Sequence, residues 1–439
     1  MIVVRGQPFW SALRIACVIA LVAPVAAGAQ SRAPTADRTI ATLRASAAWK
    51  QAVATLDREH DRFVDEIVEI TQIPAPPFGE AKRGVAVRAK FAALGLTDIE
   101  TDLVGNVIGL RRGTGPAGGK LVVISAHLDT VFPEGTDVTV KREGTKLSAP
   151  GISDDTRGLA TLLAYVRALD AAKVKTRYDI LFLASVGEEG QGDLRGVRHF
   201  FTKGSYKDRT AAFFSVDGIN PARVTNGAVG SKRYRVTFKG PGGHSFGAFG
   251  LVNPMAAMAK TVTDLYEIVP PTSPKTTYAA AVTGGGTSVN SIPDSVFMEF
   301  DMRSESAAEL DILDRKLLAI IDKAVAGENA ARSTREGPVT ADKKLIGDRP
   351  AGSTPADAPI VALTTAAIRS QGYTPDIYAS STDANIPISL GIPAITIGSG
   401  GKGGRAHAPD EYIDVEKGES VRGLTVGLLA LMAVAEAQR

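Results

Sequence analysis

The sequence predicts an α/β fold: a mainly parallel sheet in a larger domain flanked by helices, interrupted by a smaller inserted α+β domain. Three observations predict it. Short, continuously apolar runs such as Leu121-Val-Val-Ile124 and Asp179 to Ser185 mark strands buried on both faces. Between them lie helical stretches with apolar residues at three- and four-residue spacing, Leu159, Leu162, Leu163, Val166 and Leu169 among them. This alternation stops around Ala228 and resumes near Ala351.

At 439 residues the chain exceeds what one hydrophobic core usually organises, so two domains are expected. Residues 1–29 read as a cleaved signal peptide: Arg5 and Arg14, then an apolar run from Ile15 to Ala27, then the small residues Ala27-Gly-Ala29. That run is shorter than the roughly 20 residues needed to span a bilayer, which favours a secreted or periplasmic protein over one with a stable membrane anchor. Removing it takes Lys and Arg from 50 to 48 against 47 Asp and Glu, and removes the single cysteine, Cys17. A chain without thiols has no disulfides and no thiolate ligands, so any metal must rest on His and carboxylates. Its nearly balanced charge gives no reason to expect nucleic acid as a partner.

The elements follow in order, with the larger domain over 30–227 and 346–439 and the insert over 228–345. Thr35 to Ile70 is a helical cap, Thr71 to Gly79 a Pro-rich break, and Glu80 to Leu94 helical. Strands are expected at Thr97 to Leu110, Lys120 to Ser125, Asp179 to Ser185 and Ala211 to Val216, with a helix from Asp155 to Ala172. In the insert, Tyr234 to Phe238 alternates like a half-exposed strand. A helix (Asn253 to Ile268), two strands (Tyr278 to Val282, Ser295 to Met302) and a helix (Ala307 to Ala324) follow. The α/β pattern then returns: helix Ala358 to Gln371, strand Asp376 to Ala379, a helix start near Asp383, strand Ala394 to Ile397, and a last helix Gly418 to Ala437.

In parallel sheets ligands collect at the carboxyl ends of the strands, and the polar motifs fall there. His127-Leu-Asp129 follows one buried strand, and residues two apart in extended chain face the same way, so Asp129 could hold the second ring nitrogen of a ligating His127. Glu188-Glu189 follows the next strand; adjacent side chains diverge, which leaves one carboxylate for a metal and one as a base. Asp217 ends a third strand, and His407 lies beyond the glycine-rich loop Gly398 to Gly404. Ala149 to Gly158 carries Asp154 and Asp155 ahead of a helix, where adjacent acids would also suit a helix cap. Only five histidines occur, and two sit in these motifs.

The ordered set His127-Leu-Asp129, Gly151-Ile-Ser-Asp-Asp155, Gly187-Glu-Glu-Gly190, Asp217-Gly218, Gly242-Gly-His-Ser245 and Ala406-His-Ala-Pro-Asp-Glu411 resembles the M20 family of dinuclear metallopeptidases and related deacylases, which includes peptidase T and glutamate carboxypeptidases. The resemblance runs from about Thr71 to the C-terminus. It implies two zinc ions, with cobalt or manganese as alternatives: His127 and Asp217 on one, Glu189 and His407 on the other, Asp154 bridging. It implies that Asp129 orients His127, that Glu188 is the general base, and that the Asp154-Asp155 peptide is cis. Two dications would balance three carboxylate ligands and a bridging hydroxide, and that hydroxide would attack the amide.

The resemblance further makes the insert a lid and dimerisation domain, so a homodimer through 228–345. His244 would stabilise the oxyanion, often across the dimer, while Asn290 and Arg303 contact substrate. Ser381-Thr-Asp-Ala-Asn385 resembles the peptidase T-like branch, and Asp at 217 leans toward aminopeptidases. The expected function is an exported dizinc exopeptidase of short peptides, an aminopeptidase or di/tripeptidase. An N-acyl-amino-acid deacylase or carboxypeptidase is the alternative, and a non-catalytic peptide-binding module a remote one. His60 and His199 match no motif and read as surface residues.

Overall fold

The computed structural model describes residues 33–438; the expected signal peptide lies outside the described residues. The nine-stranded central sheet runs Thr97–Thr101, Val107–Arg111, Asp179–Ser185, Leu121–His127, Thr210–Val216, Ala394–Ile397, Arg223–Ala228 and Gly352–Ser353, with Asp376–Ser380 paired to Arg223–Ala228. Its four middle strands, from Asp179–Ser185 to Ala394–Ile397, are parallel, and the antiparallel pairings lie toward the edges. Alternation explains the two-sided burial. Val122, Ile124 and Ala126 join the core beneath the helices Arg157–Ala171, Pro359–Ser370 and Lys417–Val434, while Leu121 and Val123 join Phe200, Phe201 and Ile386 on the other face. Each such aliphatic side chain contributes about 1.5–3 kcal/mol by leaving water. That makes the middle of the sheet a rigid base for the loops at its carboxyl end.

The expected N-terminal cap is three helices, Ala33–Ala45, Ala47–Arg58 and His60–Thr71, and the expected long strand from Thr97 is two strands joined by a turn. His60 is a correction: it is buried, 5% exposed, in the cap rather than on the surface, and His199 is half-buried. Among the described residues no helix is long and apolar enough to cross a membrane.

The insert is a four-stranded antiparallel sheet ordered Thr276–Gly285, Ser295–Ser304, Gly230–Lys239, Thr340–Arg349. Helices Pro254–Tyr266 and Ala307–Ala331 pack on it through Leu265, Leu313, Leu317 and Ile321, against Val236, Phe238 and Phe300. Thr340–Arg349 was not expected as a strand, because its alternating Lys, Asp and small residues are mostly exposed. The boundary expected at 345 therefore falls inside an element, and the chain returns to the catalytic domain only after Arg349.

A third sheet, also unforeseen, has the order Lys402–Gly404, Tyr412–Asp414, Lys146–Ser148, Lys141–Glu143. It ties the segment leading to Asp154 to the segment bearing His407, through the paired strands Lys146–Ser148 and Tyr412–Asp414 and an Ala149 N–H donating to the Glu411 carbonyl at 3.0 Å.

Candidate metal and catalytic site

His127 ends its strand, Asp217 directly follows the strand ending at Val216, and Glu188 and Glu189 lie in the turn after Ser185. These ends are neighbours because their strands are adjacent and parallel. Asp154 reaches them from the turn Ile152–Thr156, and His407 from the loop between Lys402–Gly404 and Tyr412–Asp414. One Asp154 oxygen lies 2.9 Å from His127 Nε2 and the other 3.1 Å from His407 Nε2. His407 Nε2 is also 2.9 Å from Glu189 Oε1. His127, Asp154 and Asp217 offer ligand atoms within 4.8 Å of one another, and so do Asp154, Glu189 and His407. Asp154 is common to both groups. His127, Glu188 and Glu189 form a third group on the same measure, so distance alone does not separate the two glutamates.

Their contacts do. Glu189 touches His407, whereas the partner of the Glu188 carboxylate is Arg349, at 3.4 Å.

The supporting residues differ in part from expectation. His127 Nδ1 lies 3.0 Å from the main-chain oxygen of Asp129, while the Asp129 carboxylate is 3.7 Å away, beyond a hydrogen bond. That carboxylate instead accepts from the N–H groups of Glu188 and Glu189, at 3.0 and 2.9 Å. Asp129 thus fixes the tautomer of His127 with its backbone and the glutamate turn with its side chain. The Asp154-Asp155 peptide is cis. Neither acid caps the helix: Arg157–Ala171 begins after Thr156 with no side-chain cap, and Asp155 Oδ2 accepts from His127 N–H at 2.9 Å.

Glu411, which belongs to a motif but had no role assigned, organises the Asp154 loop. Fully buried, its carboxylate accepts from the N–H groups of Gly151, Ser153 and Asp154 and from the Ser153 hydroxyl, at 2.6 to 3.0 Å. The adjacency of Glu411 to the His407 motif was visible in the sequence. Its partner, 257 residues away, was not.

Burial dominates the electrostatics. It pushes the Glu188 carboxyl well above its ordinary value and, with Asp154 and Glu189 nearby, lifts Asp217 to about 7. Burial would also raise Asp154, but the contacts from His127 and His407 hold it below the usual carboxylate range. His407 is raised to about 11 by Asp154 first and Glu189 next.

A cavity of about 680 Å³ opens over the cluster, lined by Asp154, Glu188, Glu189, Asp217 and His407 together with Arg223, Arg233, Arg303 and Arg349. Arg303 is therefore in place at its wall. His244 and Asn290 are not: Gly243–His244 pairs with Ser291–Ile292 in the insert, and both side chains are exposed outside that lining.

The donor set fits a pair of divalent cations. It contains only imidazole nitrogen and carboxylate oxygen, it divides into two groups around one shared carboxylate, and its acids outnumber the histidines facing them.

The chain matches Peptidase family M20/M25/M40 over residues 123–430. Curated relatives include the succinyl-diaminopimelate desuccinylases of Burkholderia vietnamiensis, 27% identical over 256 residues, and Burkholderia multivorans, 29% identical over 257. Each match covers 53% of this chain and 66% of the relative, just under two thirds of its length. Among solved structures, the aminopeptidase PepT of Bacillus cereus superposes with a TM-score of 0.68 at 20% identity, over 85% of this chain and 99% of that one. A Staphylococcus aureus tripeptidase gives 0.70 at 18%, over 86% and 98%. A dinuclear metal-binding peptidase from Bacillus subtilis gives 0.63 at 17%, over 85% and 98%. These likenesses establish the shared fold. With the family match covering well over half of the sequence, the chain belongs to peptidase family M20/M25/M40.

Proposed function

We propose that this is an exported dinuclear exopeptidase that removes the N-terminal residue of short peptides, di- and tripeptides foremost, and works as a homodimer. The observation that carries the catalytic assignment is the division of labour in Glu188-Glu189: Glu189 lies on His407, while Glu188 faces the cavity without touching either histidine of the cluster. His127, Asp154, Asp217, Glu189 and His407 would hold two cations, zinc in this reading with cobalt or manganese as alternatives, which would supply Lewis acidity toward the scissile carbonyl and acidify water. Glu188 accepts the proton of the attacking water at its carboxylate and returns it to the leaving amine. Asp129 keeps Glu188 and Glu189 in register through their N–H groups. Arg303 engages the substrate at the cavity wall, and Asn290 joins it with His244 from a second copy's lid; His244 donates to the oxyanion. A donor that engages the developing charge lowers the barrier rather than merely tightening binding. Export rests on residues 1–29.

A second reading, an N-acyl-amino-acid deacylase, is favoured by the four arginines around the cavity, which suit an anionic acyl group, and by the desuccinylase relatives. One assay separates them. Free, N-acetylated and N-succinylated forms of the same peptides are incubated with the zinc, cobalt or manganese enzyme. Turnover of the free peptides alone is expected, and turnover restricted to acylated forms would overturn the aminopeptidase reading. In the same assay Glu188→Ala should lose at least about 10²-fold in kcat with both metals retained. Loss of the metals instead would mean that the roles of Glu188 and Glu189 are exchanged.

A further inference from the structure

The turn carrying the proposed base is built on glycines. Glu188-Glu189 lies between Gly187 and Gly190, both at positive φ, a conformation glycine adopts without strain. Two groups hold the Glu188 residue. Its N–H is taken by Asp129 Oδ1 at 3.0 Å, and its carbonyl oxygen accepts from Arg349 Nη2 at 2.5 Å. Arg349 Nη1 reaches the side chain as well, 3.4 Å from Glu188 Oε1, and donates to the Ser381 hydroxyl at 3.1 Å.

Arg349 is itself held by its surroundings. It is 4% exposed and closes the lid strand Thr340–Arg349, whose end is pinned to the catalytic domain: Asp348 N–H donates to Asp193, and the Asp348 carbonyl accepts from Arg198 at 2.6 Å. The return path is tight, since a Cβ on Gly230 would stand 2.9 Å from the Arg349 carbonyl and 2.7 Å from Ala351 N.

Resting on the reading of Glu188 as the base, we propose that Arg349 is a positioning residue that fixes the Glu188 carboxylate through its peptide oxygen and Oε1. A substrate anchor is the competing role for an arginine in this cavity. Arg349 differs from Arg223 and Arg303, whose side chains are 42% and 43% exposed: both of its terminal nitrogens are engaged by protein atoms. Misplacing a reacting group by about 1 Å is enough to cost about 10²-fold in rate, so a residue of this kind acts on kcat.

The test uses the metal-loaded full-length enzyme and the variants Arg349→Met, Arg349→Lys, Glu188→Gln and the double variant Arg349→Met with Glu188→Gln. Measurements are kcat and KM on a tripeptide, metal content, melting temperature, and calorimetric affinity for an uncleavable peptide analogue. Arg349→Met is expected to lower kcat about 30- to 100-fold with KM, analogue affinity and metal content within about threefold of wild type. Arg349→Lys should recover part of the loss, and adding Arg349→Met to Glu188→Gln should change kcat less than about threefold.

Weakened analogue binding with kcat preserved would identify a substrate anchor and overturn the proposal. So would a parallel loss of metal and melting temperature in both Arg349 variants, or fully multiplicative losses in the double variant. Wild-type kcat in Arg349→Met beside an inactive Glu188→Gln overturns the positioning role alone; wild-type kcat in Glu188→Gln overturns the base assignment and the positioning role with it.

Discussion

Glu411 shows how much of this site depends on residues that touch no substrate. Four donors from Gly151, Ser153 and Asp154 converge on its buried carboxylate, so the loop that presents Asp154 is folded around it. Glu411→Ala would leave those donors unmatched in the interior, where each unsatisfied group costs about 1–3 kcal/mol. Metal affinity is expected to fall about 10- to 100-fold, read by competition with a chelator of known strength, because Asp154 loses the support that orients it. Affinity equal to wild type would show that Asp154 is positioned without Glu411. At this scale the sequence pointed to residues that the structure brings together, His127, Asp154, Glu189, Asp217 and His407, because each lies in a motif at a strand end or in a loop. It was silent where a role depends on a distant partner. The same gap explains Asp129: spacing put its side chain on the face of His127, but only the fold shows its carboxylate engaged by the two N–H groups of the glutamate turn. His60 was misread for a related reason, since a histidine beside Asp61 looks solvated until the rest of the cap packs over it.

Among the elements, the turn Ile152–Thr156 and the helix after it form the most constrained junction. The Asp155 carboxylate lies directly over Gly158, where a Cβ would stand 2.0 Å from Asp155 Oδ1. Gly158 is therefore required by the close approach of a side chain, not by its own backbone. Gly158→Ala must displace Asp155 and with it the bond to His127 N–H, and is expected to destabilise the protein by about 1–3 kcal/mol in urea unfolding. An unchanged midpoint would mean that Asp155 can move aside at no cost. Fully buried strands such as Asp179–Ser185 and Ala394–Ile397 matched their sequence ranges, because a strand buried on both faces announces itself by composition. Thr340–Arg349 and the small sheet that joins the Asp154 and His407 segments did not. Their strands are short or largely exposed, and their pairing is set by partners far along the chain.

For the whole molecule, the insert raises the question of a second copy. His244 and Asn290 stand outside the catalytic cavity, and large apolar side chains of the insert are exposed, among them Phe246, Phe249, Val269, Val282 and Val289. The strand Thr276–Gly285 pairs on one side only, which leaves an open edge for a partner. Light scattering on the full chain is expected to give a dimer. Val282→Asp, on that edge strand, should shift it to monomer with at least about tenfold lower kcat and both metals kept; a fully active monomer would show that no second copy is needed. The sequence by itself determined the α/β class, the inserted domain and the polar residues at the strand ends, because burial on two faces, helical spacing and strand-end acids are local signals. Tertiary structure alone decided that Asp154 lies between two histidines 280 residues apart in the chain, that Glu411 folds its loop, and that a lid strand delivers Arg349 to Glu188. Those contacts join residues that no local spacing relates, and only the packing of the sheets brings them within bonding distance.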